Sequence, residues 1–347
     1  MRRAGGCDRI QPMRLLLAAL LCSSCLLIAQ TKKIVLLNPA PGQVQDFQSV
    51  SSKVKIVPAN GADVLTEIAD ADGFIGVITP AMYAASKQLK WVGVMSAGVE
   101  NILQVRGAEP FKNSDVVMTN NKVVQGIEIA DHAMALLLYT TRRLNEYSVA
   151  TANGEWPRTP FKGIELRGKT ALIIGMGGIG TNIALRCWAF GMHVIGVDPE
   201  EKPIVSYIDR VVKPDQLDEV VPLADVVFIS APDTDKSHKM FGAKQFEAMK
   251  QHSYFVAVSR GGVYDMNGLV KALDSQKLDG AGVDVTDPEP LPKNHPLWSF
   301  KNVVVTPHIA GRSDLDNGRM LGTIKDNIRR FAEGLPLVNI VDKKKGY

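Results

Sequence analysis

Short apolar runs recur along the chain from residue 32 onward, each ended by a turn residue and followed by a stretch of helical character. Runs at 32–39, 54–59, 71–77, 89–98 and 115–120 read as one series of strands. A second series follows at 170–174, 193–197, 224–230, 254–259, 280–285 and 303–306. Strands alternating with helices at this spacing imply parallel sheets with helices on their faces, so two α/β domains are expected. Residues 125–147 predict one helix, because Ile127, Ala130, Met134, Leu137 and Leu138 recur near the 3.6 period and apolar residues lie on more than one face. Such a helix is buried broadly, either between two domains or against a second subunit. His132 lies on it, and for a lone helical histidine a structural role is the expectation. Residues 314–333 predict a final helix with no sheet left to extend, which crosses back to the first domain.

The second series opens on the stretch that organises the chain, KTALIIGMGGIGTNIALRCWAFGMHVIGVD at 169–198. It predicts a strand at 170–174, a glycine turn, a helix at 179–190, and a strand at 193–197 ending in Asp198. Gly175 permits the tight turn, Gly177 lets a pyrophosphate approach the backbone, and Gly180 lets helix and strand pack closely. The helix N-terminus, with Gly178 and Ile179 in its first turn, offers unpaired N–H groups to phosphate. Asp198 lies about twenty residues on, where a carboxylate accepts bonds from an adenosine ribose and repels a 2'-phosphate. The cofactor expected is NAD, with NADP disfavoured. In such sheets the ligand crevice lies past the strand ends. Chemistry is therefore sought at Ala231 and Pro232, Arg260 and Gly261, Asp284, and Pro307 and His308.

Composition narrows the partners. A hydrophobic fraction of 46% with 22% charged residues is that of a globular protein of two ordinary domains in 347 residues. Of the formal charge of +4, residues 1–29 contribute +3 through Arg2, Arg3, Arg9, Arg14 and Asp8, so nothing argues for nucleic acid. Those residues place basic side chains before an apolar run from 15 to 29, and residues 1–30 read as a signal peptide that would export the mature protein, to a periplasm for example. Two other readings stand beside it, a true start at Met13 or later in a cytoplasmic protein, and a short uncleaved anchor. No other membrane segment is expected, and N-terminal sequencing of the native protein distinguishes the three. Cys7, Cys22 and Cys25 all fall in this leader, so the body keeps only Cys187, expected as packing. No zinc-spaced cluster occurs, and no metal is expected.

One arginine, one glutamate and one histidine, Arg260, Glu289 and His308, each stand in or just after a strand-end loop of the nucleotide sheet. A guanidinium grips a carboxylate in forked geometry and polarises the adjacent carbonyl. A histidine paired with a carboxylate stays protonated nearer neutrality and can give its proton to a carbonyl oxygen as hydride arrives. Together they suit reduction of a 2-keto acid.

With these residues in place, the chain resembles the D-isomer-specific 2-hydroxyacid dehydrogenases over nearly everything after the leader. The motifs that carry the resemblance are MSAGVEN (95–101), GMGGIG (175–180), APDTDKS (231–237), SRGG (259–262), AGVDVTDPEPLP (281–292) and TPHIAG (306–311). The resemblance implies two Rossmann-like domains with doubly wound parallel sheets. The nucleotide domain, 122–314, would be inserted into a discontinuous substrate domain of 31–121 and 315–347. It implies that Arg260, Glu289 and His308 are catalytic and that backbone amides at Ala97 and Gly98 hold the substrate carboxylate. It places Asp284 on the nicotinamide carboxamide and Thr234 with Ser237 beside the cofactor ribose and phosphates, with Ala231, Pro232, Ser259, Arg260, His308 and Gly311 completing the cofactor contacts. Family members pair as homodimers through the nucleotide domain, which gives the 125–147 helix a partner.

The segments at 289–298 and 153–156 look most like the glyoxylate and hydroxypyruvate reductase branch. Ala257 stands where the family often has an asparagine, so a supporting hydrogen bond is missing or replaced. Glu289 argues against the formate-oxidising branch, which has glutamine there, and no regulatory domain of the longer phosphoglycerate dehydrogenases is expected after Tyr347. The alternative is an NADH-sensing binding protein of corepressor type, which keeps fold and triad without turnover.

Overall fold

In the computed structural model, which describes residues 31–158 and 162–347, the apolar runs form two parallel sheets. The leader reading, with Cys7, Cys22 and Cys25, lies outside the described residues. The first sheet contains β1 (Lys32–Leu37), β2 (Val54–Ala59), β3 (Gly73–Ile75), β4 (Trp91–Gly93) and β5 (Val117–Thr119), in the order β2-β1-β3-β4-β5. The second contains β6 (Thr170–Ile174), β7 (His193–Val197), β8 (Arg210–Val212), β9 (Val226–Ile229), β10 (Ser253–Ala257), β11 (Leu278–Val283) and β12 (Val303–Val305), in the order β12-β11-β10-β9-β6-β7-β8. These are the two doubly wound α/β sheets that the strand and helix pattern implies.

The central strands are apolar throughout because helices cover both faces. Successive side chains enter opposite cores, as the two-residue period of a strand requires. Leu172, Ile174, Val227, Ile229 and Phe255 fill one core, and Ala171, Ile173, Val226, Phe228 and Tyr254 fill the other. Each fully buried Leu, Ile, Val or Phe contributes roughly 1.5–3 kcal/mol, so disturbing these strands is strongly destabilising.

The helix Asp316–Glu333 does cross back. Its Ile324, Ile328 and Phe331, at helical spacing, pack with Ile34, Leu36 and Trp91 on the first sheet. Residues from both ends of the described chain therefore build one lobe, and the nucleotide sheet interrupts it.

Three expectations change. The run at 89–98 pairs only over Trp91–Gly93, because its neighbours β3 and β5 end at Ile75 and Thr119; after Val94, whose N–H still donates to the Thr119 carbonyl at 2.8 Å, the chain becomes a loop that carries Ala97 and Gly98. The strand β8 had no apolar run to announce it, since it is an edge strand paired only with β7 and partly exposed. The helix expected at 125–147 is two, Gly126–Thr141 and Leu144–Ala152, separated where Arg143 takes a left-handed φ of 58°. The first of the two buries Ala130, Met134 and Leu137 against Ile183, Ala184 and Cys187 on the helix Gly178–Ala189. Burial pushes the Cys187 thiol up to about 12, which keeps it a neutral packing group. Among the described residues no helix is long and apolar enough to cross a membrane, and no cluster of three or more acidic, histidine or cysteine side chains is disposed to hold a metal.

Candidate active site

Because every ladder of the second sheet is parallel, the C-terminal ends of its strands open on one side. Past β6 lies Gly175, past β9 Ala231, past β10 Arg260, past β11 Asp284 and past β12 His308. The strand order reverses between β6 and β9, the crevice where such sheets take a ligand.

The glycine turn fits a dinucleotide. Gly175 has a φ of 93°, and a Cβ there would lie 2.5 Å from the Ala231 nitrogen, so the turn and the loop after β9 touch. Around Gly177, by contrast, nothing lies within 4 Å of an added Cβ, which leaves its backbone open to a ligand. Asp198 is buried, and its carboxylate accepts from the backbone N–H of Met176 at 2.7 Å and of Glu200 at 2.8 Å while pairing with Lys202 at 3.1 Å. A pocket of about 330 Å³ opens beside it, lined by Glu200, Ile204 and Val212 among others. The C-terminal segment reaches its rim, where Lys345 and the Tyr347 hydroxyl bond Glu200 at 2.6 and 3.1 Å. Thr234 and Ser237 lie on the loop after β9 and bond each other, the Thr234 N–H donating to Ser237 Oγ at 2.9 Å, with Ser237 Oγ donating onward to the Pro232 carbonyl. Ser259 is buried just past the C-terminal end of β10, and Gly311 is held by the Gln125 amide at 3.2 Å.

Asp284 is fixed on all sides. Its carboxylate accepts from the N–H groups of Ile309 and Ala310, each at 2.9 Å, and from the Thr306 hydroxyl at 2.6 Å. His132 closes this chain through Nε2, 2.9 Å from the same hydroxyl. The lone helical histidine is therefore part of the support for Asp284, a link between residues 174 positions apart in Thr306 and His132 that no local pattern signals.

Two of the three expected side chains, Glu289 and His308, meet directly. His308 Nδ1 lies 2.8 Å from Glu289 Oε2, and Glu289 Oε1 accepts the Thr286 N–H at 3.0 Å, so the carboxylate is aimed before it meets the ring. The His308 backbone has a φ of 54°, a conformation that costs a non-glycine residue roughly 1–2 kcal/mol, and its N–H donates to the Asp284 carbonyl at 2.9 Å. Arg260 precedes Gly261, whose added Cβ would meet the Thr286 carbonyl at 2.0 Å, so the loops after β10 and β11 touch. Ala257 is buried in β10 and supplies no hydrogen bond to the arginine. Arg260 is held instead by its own neighbour, Nη1 donating to the Ser259 carbonyl at 2.7 Å, and by Glu100.

From the other lobe, the loop at 95–98 faces Arg260. Asn120 and Asn121 tie its carbonyls down, donating to those of Ala97 at 2.5 Å and Met95 at 2.7 Å. Among the described residues the N–H groups of Ala97 and Gly98 have no partner. Gln104 reaches across to the Asp233 carbonyl at 2.8 Å, so the two lobes are in contact beside the site.

Fold and site together define a two-lobed dinucleotide-binding α/β protein with a charged cleft between the lobes. Residues 134–310 match the family described as D-isomer specific 2-hydroxyacid dehydrogenase, NAD binding domain, and the chain belongs to that family. It is 33% identical over 285 residues to a D-3-phosphoglycerate dehydrogenase of Methanocaldococcus jannaschii, covering 81% of this chain and 53% of that one, so the chain spans about half the length of that relative. It is 31% identical over 287 residues to a glyoxylate/hydroxypyruvate reductase B of Citrobacter koseri, covering 79% and 85% respectively. Among solved structures it is similar to an NADPH-dependent glyoxylate/hydroxypyruvate reductase of Sinorhizobium meliloti in complex with NADP and sulfate. The TM-score is 0.75 with 25% identity, over 91% of this chain and 100% of that one.

Proposed function

We propose that the protein interconverts a 2-keto acid and a D-2-hydroxy acid of the glyoxylate and hydroxypyruvate type, with NAD(H) as its cofactor. The observation that carries this reading is the Glu289–His308 pair on a loop that touches the one carrying Arg260, whose Nη2 lies against the loop with the unpartnered amides of Ala97 and Gly98. Bound at the glycine turn, a reduced nicotinamide dinucleotide supplies the hydride. The chain does the rest. Arg260 and the two amides grip the substrate carboxylate, and the guanidinium polarises the neighbouring carbonyl. His308, with Nδ1 engaged by Glu289, presents Nε2 and gives its proton to the carbonyl oxygen as the carbon accepts hydride. Glu289 balances the imidazolium before transfer, and the reverse reaction returns the proton to the ring.

The buried carboxylate of Asp198 supports NAD over NADP, because a 2'-phosphate there would face a fixed negative charge. With glyoxylate, hydroxypyruvate and larger 2-keto acids offered in turn, purified protein is expected to oxidise NADH, with kcat/KM for NADPH lower by about tenfold or more. Equal use of NADPH would remove the role given to Asp198, and no turnover on any 2-keto acid would remove the reading itself. The relatives named above carry enzyme names, and nothing observed favours the corepressor alternative.

We propose further that two copies pair through the nucleotide lobe. Leu144, Val149 and Trp188 are exposed on its helices, apolar surface that a second copy would cover. Sedimentation at micromolar concentration is expected to give twice the chain mass; a single-chain mass would exclude the pairing.

A further inference from the structure

The ion pair between Arg260 and Glu100 joins residues 160 positions apart and on opposite lobes. Arg260 Nε donates to Glu100 Oε1 at 2.5 Å, while Nη1 donates to the Ser259 carbonyl at 2.7 Å. Two anchors at different edges fix the plane of a guanidinium, where a single anchor would leave it free to turn. The third nitrogen, Nη2, then lies against Gly98, where an added Cβ would be 1.9 Å away. It points at the loop whose amides are free. Forked recognition of a carboxylate needs the guanidinium plane set in advance, and here one of the two residues that set it comes from across the cleft.

We propose that Glu100 is a positioning residue, one that locks the orientation of Arg260 when the lobes close and so couples closure to the grip on the substrate carboxylate. The inference rests on the 2-keto acid reading above. Glu100 itself holds no substrate. It bonds Arg260 at Nε from beside Gly98, where an added Cβ would also lie 2.6 Å from Glu100 Oε2, so the arginine presents Nη2 toward the loop only while both lobes contribute. With the lobes apart, the arginine keeps its Ser259 contact and loses its plane.

The test uses the full chain and three variants, Glu100→Ala, Glu100→Gln and Gly98→Ala. Glu100→Ala is expected to raise KM for glyoxylate or hydroxypyruvate by about tenfold or more, with a smaller fall in kcat and KM for NADH within about twofold of wild type. Glu100→Gln keeps an acceptor oxygen at the same reach and is expected to recover most of that loss. Gly98→Ala crowds both Arg260 Nη2 and the Glu100 carboxylate and is expected to raise the keto-acid KM similarly, since the atoms met are side-chain ends that can move without disturbing the backbone. A part-exposed ion pair adds little to stability, so the melting temperature of the Glu100 variants stays near wild type. A fall in melting temperature with equal losses toward keto acid and NADH would make Glu100 a packing residue and overturn the proposal. So would a keto-acid KM within about twofold of wild type in Glu100→Ala when the wild type turns over. A wild type that reduces no 2-keto acid overturns the underlying reading and this inference with it, and is told apart from the other outcomes before any variant is made.

Discussion

Replacing His308 with asparagine is expected to lower kcat for 2-keto acid reduction by about 10²–10⁴-fold while leaving NADH binding and the melting temperature close to wild type. Asparagine is the informative choice because the backbone at His308 has a φ of 54°, and asparagine tolerates that left-handed conformation. The substitution therefore removes the ring without adding strain. The loss is that of the proton donor which a carboxylate aims into the cleft, since Glu289 bonds Nδ1 at 2.8 Å and is itself held by the Thr286 N–H. Stopped-flow or steady-state assay with saturating NADH measures the effect. A kcat within about tenfold of wild type would mean that water or another group delivers the proton, and His308 would lose its role.

Gly180→Ala is expected to destabilise the nucleotide lobe by about 1–3 kcal/mol and to weaken NADH binding together with it. A Cβ at this position would sit 1.9 Å from the Gly175 carbonyl oxygen and 3.0 Å from Ser230 Oγ. The first of these is backbone, so the helix Gly178–Ala189 has to move away from the turn it closes. Gly177→Ala provides the contrast. Nothing lies within 4 Å of its added Cβ, and Gly177 has a φ of −78°, ordinary for alanine. Its melting temperature should therefore hold, while NADH affinity falls because the methyl group occupies the space left for the ligand. Thermal melts with and without NADH separate the two. Equal stability of Gly180→Ala and wild type would show that the helix and strand are not as tightly apposed as their backbones indicate.

The contrast between those two glycines also shows what a linear pattern can carry. The spacing at 175–180 assigned each glycine a task from covalent geometry, and the structure puts the close backbone contact at Gly180 and the open one at Gly177. Local periodicity was equally sufficient for the central strands, whose side chains are buried on both sides, and for the helix Asp316–Glu333, whose apolar stripe was readable. It failed where burial is partial. The edge strand Arg210–Val212 has one neighbour and no apolar signature, and the strand at Trp91–Gly93 is shorter than its apolar run because its partner ends first.

The chain by itself thus determined its two parallel sheets, its glycine turn, the acid at Asp198 and the three candidate side chains Arg260, Glu289 and His308, because each depends on residue type and short-range spacing. Only the tertiary structure decided that Glu100 grips Arg260, that His132 supports Asp284 through Thr306, and that the helical stretch beginning at Gly126 turns at Arg143. The first two depend on how elements far apart in sequence are brought face to face. A hydrogen bond between residues 160 apart leaves no periodic trace, since its partners are chosen by the packing of whole lobes rather than by the turn of one strand or helix.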